Sequence, residues 1–485
     1  VAAGNPPAAG RTALVVGGGI SGLIAARELA QAGFRTTLLE ATDAWGGCVG
    51  RHEVAGLTLD SGAESFATRS SAVADLAAEL GLAGNIVAPH PGGAWVQLPD
   101  GPRELPKTGV LGIPANPWDP EVRRSLGLRG SLRASLDKFL PTSVGTTADV
   151  SSVSALVRAR MGRRVLERLV EPVVGGVHSA DPGLLDVDMV APGLRAGITR
   201  HGSLAAAVAA QRKGSGAQGP GAQGSAAKAG SAVAGLTGGM HTLVAALVAD
   251  LRRRGVELVP GTRADGAAHT PGGWRIAARG ETYDADVLVI ALDGPSAVGL
   301  LEDAVPALAG HRPGPGPEVK LVTLVVDLPE LDARPRGTGI LVAPQSAGIR
   351  AKALTHATAK WDWLAAEAGP GRHVLRLSYG RRDSSAPAGQ APAAGPDAAL
   401  LDIALQDASA LLTVPVKAEN LVGWDVVSWA GALPFAAVGH RQRVADVRRI
   451  CSGSAGLLMV GGWLAGNGLA AVVADTRKQV RAFLQ

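Results

Sequence analysis

The stretch Thr12-Ala13-Leu14-Val15-Val16-Gly17-Gly18-Gly19-Ile20-Ser21-Gly22, followed to Glu40, decides the fold. Thr12 to Val16 is a short apolar run ending in glycines. Ile20 to Ala32 carries apolar residues at helical spacing and closes at Gly33, and Thr36 to Leu39 is a second apolar run. These three predict a β-α-β unit. In its G-x-G-x-x-G turn each glycine has a distinct role. Gly17 permits the tight turn, Gly19 lets the backbone approach a pyrophosphate, and Gly22 allows close packing of helix on strand. Gly18, Ile20 and Ser21 complete the turn, and the helix N-terminus stabilises phosphate charge. Glu40, at the end of the second run, is placed to accept hydrogen bonds from a ribose diol. In a chain with 66 glycines the bare pattern would say little, but strand, helix and acid together indicate a dinucleotide site.

Outward from that unit, 485 residues give room for two or three domains. Aromatic residues make up 3% of the chain against 46% hydrophobic in all, so small side chains and close backbone approach must build much of the core. The formal charge of +5 comes from cations interspersed with acids, with no basic block of the kind nucleic-acid binding requires. Cys48 and Cys451 cannot make a disulfide framework or a C-x-x-C metal site, so no metal is expected and a reducing cytoplasm is the expected location. Val1 to Arg11 lacks the features of a signal peptide and is expected to be a disordered lead. Gly456 to Ala474 is uncharged but holds five glycines and Asn467. It is expected to be a strand, a glycine turn and a buried helix rather than a membrane span.

A helix is expected over Ser70 to Leu80, and loop over most of the proline- and glycine-rich Pro89 to Pro120. Glu121 to Val208 alternates arginines with apolar residues at helical spacing. Gln211 to Gly230, nearly all Gly, Ala, Ser, Gln and Lys, reads as a flexible loop. A helix over His241 to Arg253 precedes strands at Val256 to Val259, Trp274 to Ala277, Asp286 to Ala291, Leu321 to Val326, His373 to Leu377 and Gly456 to Val460.

Directly after Glu40, Ala41-Thr42-Asp43-Ala44-Trp45-Gly46-Gly47-Cys48 resembles the loop E-A-x-x-R-x-G-G-R/K of the flavin-dependent amine oxidase and protoporphyrinogen oxidase superfamily. The match at Glu40, Ala41, Gly46 and Gly47 implies FAD rather than NAD. Ala44 and Cys48 stand where that family carries basic residues, which implies weaker FAD retention, each charge-assisted contact being worth about 1.5 to 3 kcal/mol. Cys48 is read as a small residue filling vacated space. Four further stretches resemble the porphyrinogen oxidases of Gram-positive bacteria: Leu59 to Phe66 their flavin-facing turn, Leu105-Pro106-Lys107 with Gly112-Ile113-Pro114, Val170 to His178, and Pro434 to His440. Gly462 to Ala470 is similar to their G-x-G turn, where a helix N-terminus faces the flavin pyrimidine.

The resemblance implies cofactor contacts from Gly62, Ala63, Glu64, Ser65, Ala264, Gly462, Gly468, Leu469 and Ala470 besides the first unit. It implies an α/β FAD-binding domain, Rossmann-like and of the glutathione-reductase type, with a mixed α+β substrate domain and a helical subdomain. The expected segments are 11–88, 231–300 and 451–485 for FAD, 89–230 for the helical part with a flexible loop over 211–230, and 301–450 for the substrate sheet. The implied reaction is oxidation of coproporphyrinogen III to coproporphyrin III by O2 in heme biosynthesis. Protoporphyrinogen IX is the alternative substrate, and a product contact with ferrochelatase is envisaged. Propionates call for basic partners: Arg69 foremost, then Lys107 and Arg350, with Gly176 and His178 on the pocket wall. No catalytic acid or base is assigned. A flavin amine oxidase or desaturase and a non-catalytic porphyrin carrier stay open.

Overall fold

The computed structural model describes residues 10–107, 109–147, 150, 152–215, 233–316, 318–380, 397–431, 437–466 and 468–485. Residues 1–9 of the expected N-terminal lead and Asn467 fall outside these residues, as do Pro434 to Ala436 of the stretch ending at His440; Arg11, the end of that lead, is ordered, its carbonyl accepting the Arg35 N–H at 2.9 Å.

Thr12–Val16 forms the middle of a five-stranded parallel sheet ordered Glu257–Val259, Arg35–Leu39, Thr12–Val16, Val287–Ile290, Leu457–Met459. Its central strands are apolar at nearly every position because both faces are covered. Ala13 and Val15 pack with Leu23, Leu243 and Val473 from the helices Ile20–Gln31, His241–Arg253 and Leu469–Leu484. Leu14 and Val16 pack the opposite way, against Trp274, Ala297 and Val447. A network of ion pairs stitches the helical face together: Arg27 meets Glu79 at 2.6 Å and Asp250 at 2.9 Å, and Arg477 meets Glu79 at 2.6 Å and Glu28 at 3.2 Å.

The second sheet has seven strands in the order Leu421–Trp429, Val319–Asp327, Arg372–Tyr379, Ala353–His356, Gly339–Val342, Trp95–Leu98, Gly101–Glu104. The last two correct the expectation of loop across Pro89 to Pro120. Trp95-Val96-Gln97-Leu98 alternates in burial as a half-covered strand should, and Pro99-Asp100 supplies the two-residue hairpin turn between the paired Leu98 and Gly101. Pro102 is tolerated because Gly101–Glu104 is the sheet edge, where a missing N–H removes no ladder bond. Gly339–Val342 pairs with Trp95–Leu98 in parallel, while every other pairing in this sheet is antiparallel.

A helical unit stands apart from the two large sheets, and four smaller sheets of two or three strands fill in among the described residues. Val122, Leu156, Val157, Leu169, Ile198 and Val208 form its core, drawn from Pro120–Ser135, Val153–Met161, Leu194–His201, Leu204–Ser215 and the turns between them. Arg160 is buried there, bonded to Asp137 and to the carbonyls of Pro141 and Val144. The loop expected from Gln211 starts later: the helix Leu204–Ser215 runs through its first residues because alanine favours the helix. The remainder, 216–230, lies outside the described residues.

Candidate functional site

The turn after Thr12–Val16 separates what its glycines do for the protein from what they leave open. A Cβ on Gly17 (φ +108°) would stand 2.6 Å from the Ala291 carbonyl oxygen, and one on Gly22 would overlap the Gly17 carbonyl. Packing therefore requires both glycines. A Cβ on Gly19 would meet nothing within 4 Å, so the bare backbone there faces open space. The first-turn N–H groups of Ile20–Gln31 have no acceptor within the helix, and no side chain caps it. This is the form of a phosphate cradle.

Glu40 is held at the end of its strand with one oxygen accepting the Gly18 N–H at 2.7 Å. The other accepts the Thr42 N–H and hydroxyl, each at 2.8 Å. Beside it opens a cavity of about 630 Å³ lined by Gly17, Glu40, Ala41, Ala264 and Leu292, with Arg263, Arg312 and Asp293 at its polar margin. Four expected cofactor residues, Gly17, Glu40, Ala41 and Ala264, thus share one cavity. Its volume, beside a carboxylate at the end of the second strand, suits the adenosine half of FAD.

The loop after Glu40 closes on the cradle through its backbone. Gly46 N–H donates to the Gly18 carbonyl at 2.8 Å, Gly46 pairs with Gly19, and Gly47 lies against the Gly19 Cα. Trp45 covers Gly18 so closely that a Cβ there would sit 2.5 Å from its ring, and Ala44 is exposed. Cys48 has its thiol pKa raised by burial, as has Cys451, which is pushed up to about 12. Neither thiol is activated as a nucleophile.

The turn from Ser61 to Ser65 is bonded to this loop. Ala63 N–H donates to the Cys48 carbonyl at 2.8 Å, and Gly62 lies so close that a Cβ would overlap that same oxygen. From the other side the seven-stranded sheet and the helical turn Ala357–Lys360 grip it. Trp429 Nε1 donates to the Ser61 carbonyl at 2.9 Å, Arg376 donates to the Gly62 carbonyl at 2.9 Å and to Glu64 at 2.8 Å, and Lys360 pairs with the other Glu64 oxygen. Burial alone would raise the Glu64 pKa, but the charges and hydrogen bonds of Lys360 and Arg376 outweigh it and hold the carboxyl at about 2. Two cations and one anion leave this largely buried cluster with net positive charge, and Arg376 Nε is buried without a partner. Lys360 and Arg376 escaped the sequence reading: one lies outside any quoted stretch, and the other is a lone arginine in an apolar strand.

At the C-terminal end, Gly462 opens a short helical turn and Gly468 precedes the helix Leu469–Leu484, whose Leu469 and Ala470 pack into the core shared with Ile20. His440 is buried, and its Nε2 meets the Trp463 carbonyl at 2.6 Å, so it ties the helix His440–Ser452 to that turn. Its pKa is lowered by burial, which keeps it neutral.

The expected substrate residues are more scattered. Gly176, in the helix Glu171–His178, lies beneath Leu341 of the seven-stranded sheet, whose Cδ2 would stand 2.7 Å from a Cβ. Buried Lys352 fastens this helix end to the sheet by bonding Ser179 Oγ and the Gly380 carbonyl. The His178 side chain lies outside the described residues. Arg69 is exposed just beyond the Glu64 turn. Lys107 is exposed, and its N–H donates to Glu121 at 3.1 Å. Arg350 is exposed on the hairpin before Ala353–His356, with its N–H directed to Asp407.

Comparison with known proteins agrees with this geometry. The family model for flavin containing amine oxidoreductase matches residues 20–475. Coproporphyrinogen III oxidase of Bacillus subtilis is 27% identical over 466 residues, spanning 94% of this chain and 94% of its own. The enzyme of the same name from Propionibacterium freudenreichii is 31% identical over 458 residues, 90% of this chain and 83% of its own. A solved structure from Exiguobacterium sp. 255-15, provisionally called a protoporphyrinogen oxidase, superposes with a TM-score of 0.78 at 23% identity and covers 98% of this chain and 99% of its own. Cyclohexylamine oxidase from Brevibacterium oxydans gives 0.63 at 15%, with 98% of each chain covered. Because that family model matches residues 20–475, nearly the whole chain, the chain belongs to the flavin containing amine oxidoreductase family.

Proposed function

We propose that this protein is an FAD-dependent oxidase that converts coproporphyrinogen III to coproporphyrin III with O2 as acceptor, releasing H2O2, in heme biosynthesis. The observation that carries the reading is likeness along nearly the whole chain to bacterial enzymes of that name. Bound FAD supplies a two-electron acceptor that passes the electrons to O2. Three such rounds, each removing a hydride and a proton, take the porphyrinogen to the porphyrin and consume three O2. The chain's own part is positioning, since pyrrole protons can leave to water without a protein base.

Within this reading Glu64, Arg376 and Lys360 hold the Ser61–Ser65 turn rigid, Gly176 and His178 belong to the wall opposite it, and Arg69 takes a propionate at the rim. Lys107 and Arg350 are outlying candidates. The reaction is placed in the cytoplasm, and a transient contact with ferrochelatase belongs to the same proposal. No described helix is long and apolar enough to cross a membrane. Protoporphyrinogen IX stays a second reading because Protoporphyrinogen oxidase 2 of Arabidopsis thaliana is 29% identical over 190 residues, 38% of this chain.

The test is aerobic incubation of FAD-supplemented protein with each porphyrinogen, following porphyrin fluorescence above the autoxidation blank. Faster formation of coproporphyrin is expected. Preference for protoporphyrinogen would overturn the substrate assignment, and inactivity on both would overturn the reaction.

Ala44 gives a separate expectation. Because Ala44 is exposed, Ala44→Arg should leave the fold intact and restore one cation beside the cradle. FAD affinity measured by flavin fluorescence quenching is expected to rise roughly tenfold, the lower end of a charge-assisted contact. Unchanged affinity would mean that this loop position does not reach the diphosphate.

A further inference from the structure

The two faces of the seven-stranded sheet differ. On one, Leu324, Leu375, Leu354 and Ile340 are buried beneath the helix Asp397–Leu412. The other face is organised in rows that run across the strands. Val325 and Val374 are paired and packed with Val54, Leu57 and Leu59. In the next row Thr323, Arg376 and Thr355 stand abreast, and Arg376 reaches the Ser61–Ser65 turn. The row after that, Val427, Leu321, Ser378, Ala353 and Leu341, crosses five strands in register. All five side chains are only half-buried, although four of them lie on strands with a neighbour on each side. Four strand spacings of about 4.8 Å make this strip about 19 Å long. The helix Glu171–His178 closes its Leu341 end through Gly176. The strip is apolar but for Ser378 at its middle, and Thr355 places a second half-buried hydroxyl diagonally beside it. Among the described residues neither hydroxyl has a hydrogen-bond partner.

We propose that Ser378 and Thr355 position the substrate macrocycle on this strip by hydrogen bonding to its pyrrole nitrogens. The inference rests on the porphyrinogen reading above. A porphyrinogen is apolar around its ring, carries its carboxylates at the rim, and turns its remaining polar groups, the pyrrole N–H donors, toward the centre. An apolar strip with hydroxyls at its middle matches that distribution, because N–H groups pressed on a purely apolar surface would lose water and gain no acceptor. A hydroxyl also suits both ends of the reaction. It accepts from the N–H of the porphyrinogen, and it donates to a ring nitrogen of the porphyrin that has lost its proton. Neither hydroxyl acts as a base, so the pyrrole protons still leave to water.

The experiment is steady-state oxidation of coproporphyrinogen III by the FAD-loaded protein, with coproporphyrin III binding followed separately by quenching of its fluorescence. Ser378→Ala should raise KM about three- to tenfold and weaken product binding by a similar factor, the loss of one neutral hydrogen bond. Its kcat should stay within about twofold of wild type, since the contact is made in ground state and transition state alike, and its melting temperature should not change. Ser378→Thr keeps a hydroxyl on a strand that accepts a β-branched residue, and should keep the wild-type KM. Adding Thr355→Val to Ser378→Ala should raise KM beyond either change alone. Ser378→Ala with wild-type KM and product affinity overturns the proposal, and so does a Ser378→Thr variant as impaired as the alanine one, which would make the effect one of packing. Wild type that neither oxidises coproporphyrinogen nor binds coproporphyrin overturns the porphyrinogen reading and this inference with it. Wild type that does both, matched by Ser378→Ala, overturns the inference alone.

Discussion

Arg376→Met is expected to destabilise the protein by about 3 to 5 kcal/mol, the usual result of removing one partner from a buried ion pair. The Glu64 carboxylate would keep only Lys360, and the Gly62 carbonyl would lose the donor that reaches it from the sheet. Urea unfolding measures the loss, and Arg376→Lys, which keeps the charge without the forked geometry, should recover part of it. The effect depends on pH with a definite sign. Glu64 has its folded pKa depressed to about 2 from 4.5, so its contribution is fully present above pH 4.5 and is lost as pH falls toward 2. The shift corresponds to about 3 kcal/mol in wild type. Without Arg376 the carboxyl titrates higher, and the acid limb of the stability curve should begin at higher pH. A variant with wild-type urea midpoint and acid limb would show that the cluster is not a structural clamp.

The glycine turn yields a matched pair with opposite signatures. Gly22→Ala would drive a methyl group into the Gly17 carbonyl, a backbone group fixed between strand and helix that cannot swing aside as a flexible side chain would. The expected cost is roughly 3 kcal/mol or more, with loss of bound FAD. Gly19→Ala meets no protein atom within 4 Å, and its φ of −67° suits alanine. That apoprotein should melt as wild type does, while its FAD affinity falls roughly a hundredfold because the methyl enters the approach path of the diphosphate. Melting of both apoproteins and flavin titration separate the two effects. If Gly19→Ala held FAD as tightly as wild type, the open space beside Gly19 would not be the phosphate site.

Gly17, Gly19, Gly22 and Glu40 were legible from the sequence because local rules govern them: a turn needs glycine, a helix needs its period, and the acid closes the next strand. Ala264 reached the site through resemblance, and the fold brings it to the same cavity as Glu40. Lys360 and Arg376 were not legible, because what makes them matter is a carboxylate some three hundred residues away in the chain. Tertiary pairing of this kind leaves no mark on local periodicity. The hairpin Trp95–Leu98 and Gly101–Glu104 was hidden differently. Its prolines and glycine read as loop until the sheet edge that tolerates them was known. Arg69, Lys107 and Arg350 are easy to see as basic residues in a sequence, but where a long side chain points is not written in it.

Both sheets are assembled from early and late stretches of chain. The parallel sheet needs Leu457–Met459 beside Val287–Ile290, and the other needs Trp95–Leu98 to meet Gly339–Val342. Neither can close while the ribosome is still making the middle of the protein, so the nascent chain must hold Thr12–Val16 and Trp95–Leu98 without their distant partners. Formation of the two cores is therefore largely post-translational, with the helical unit, whose contacts are mostly local, free to form earlier.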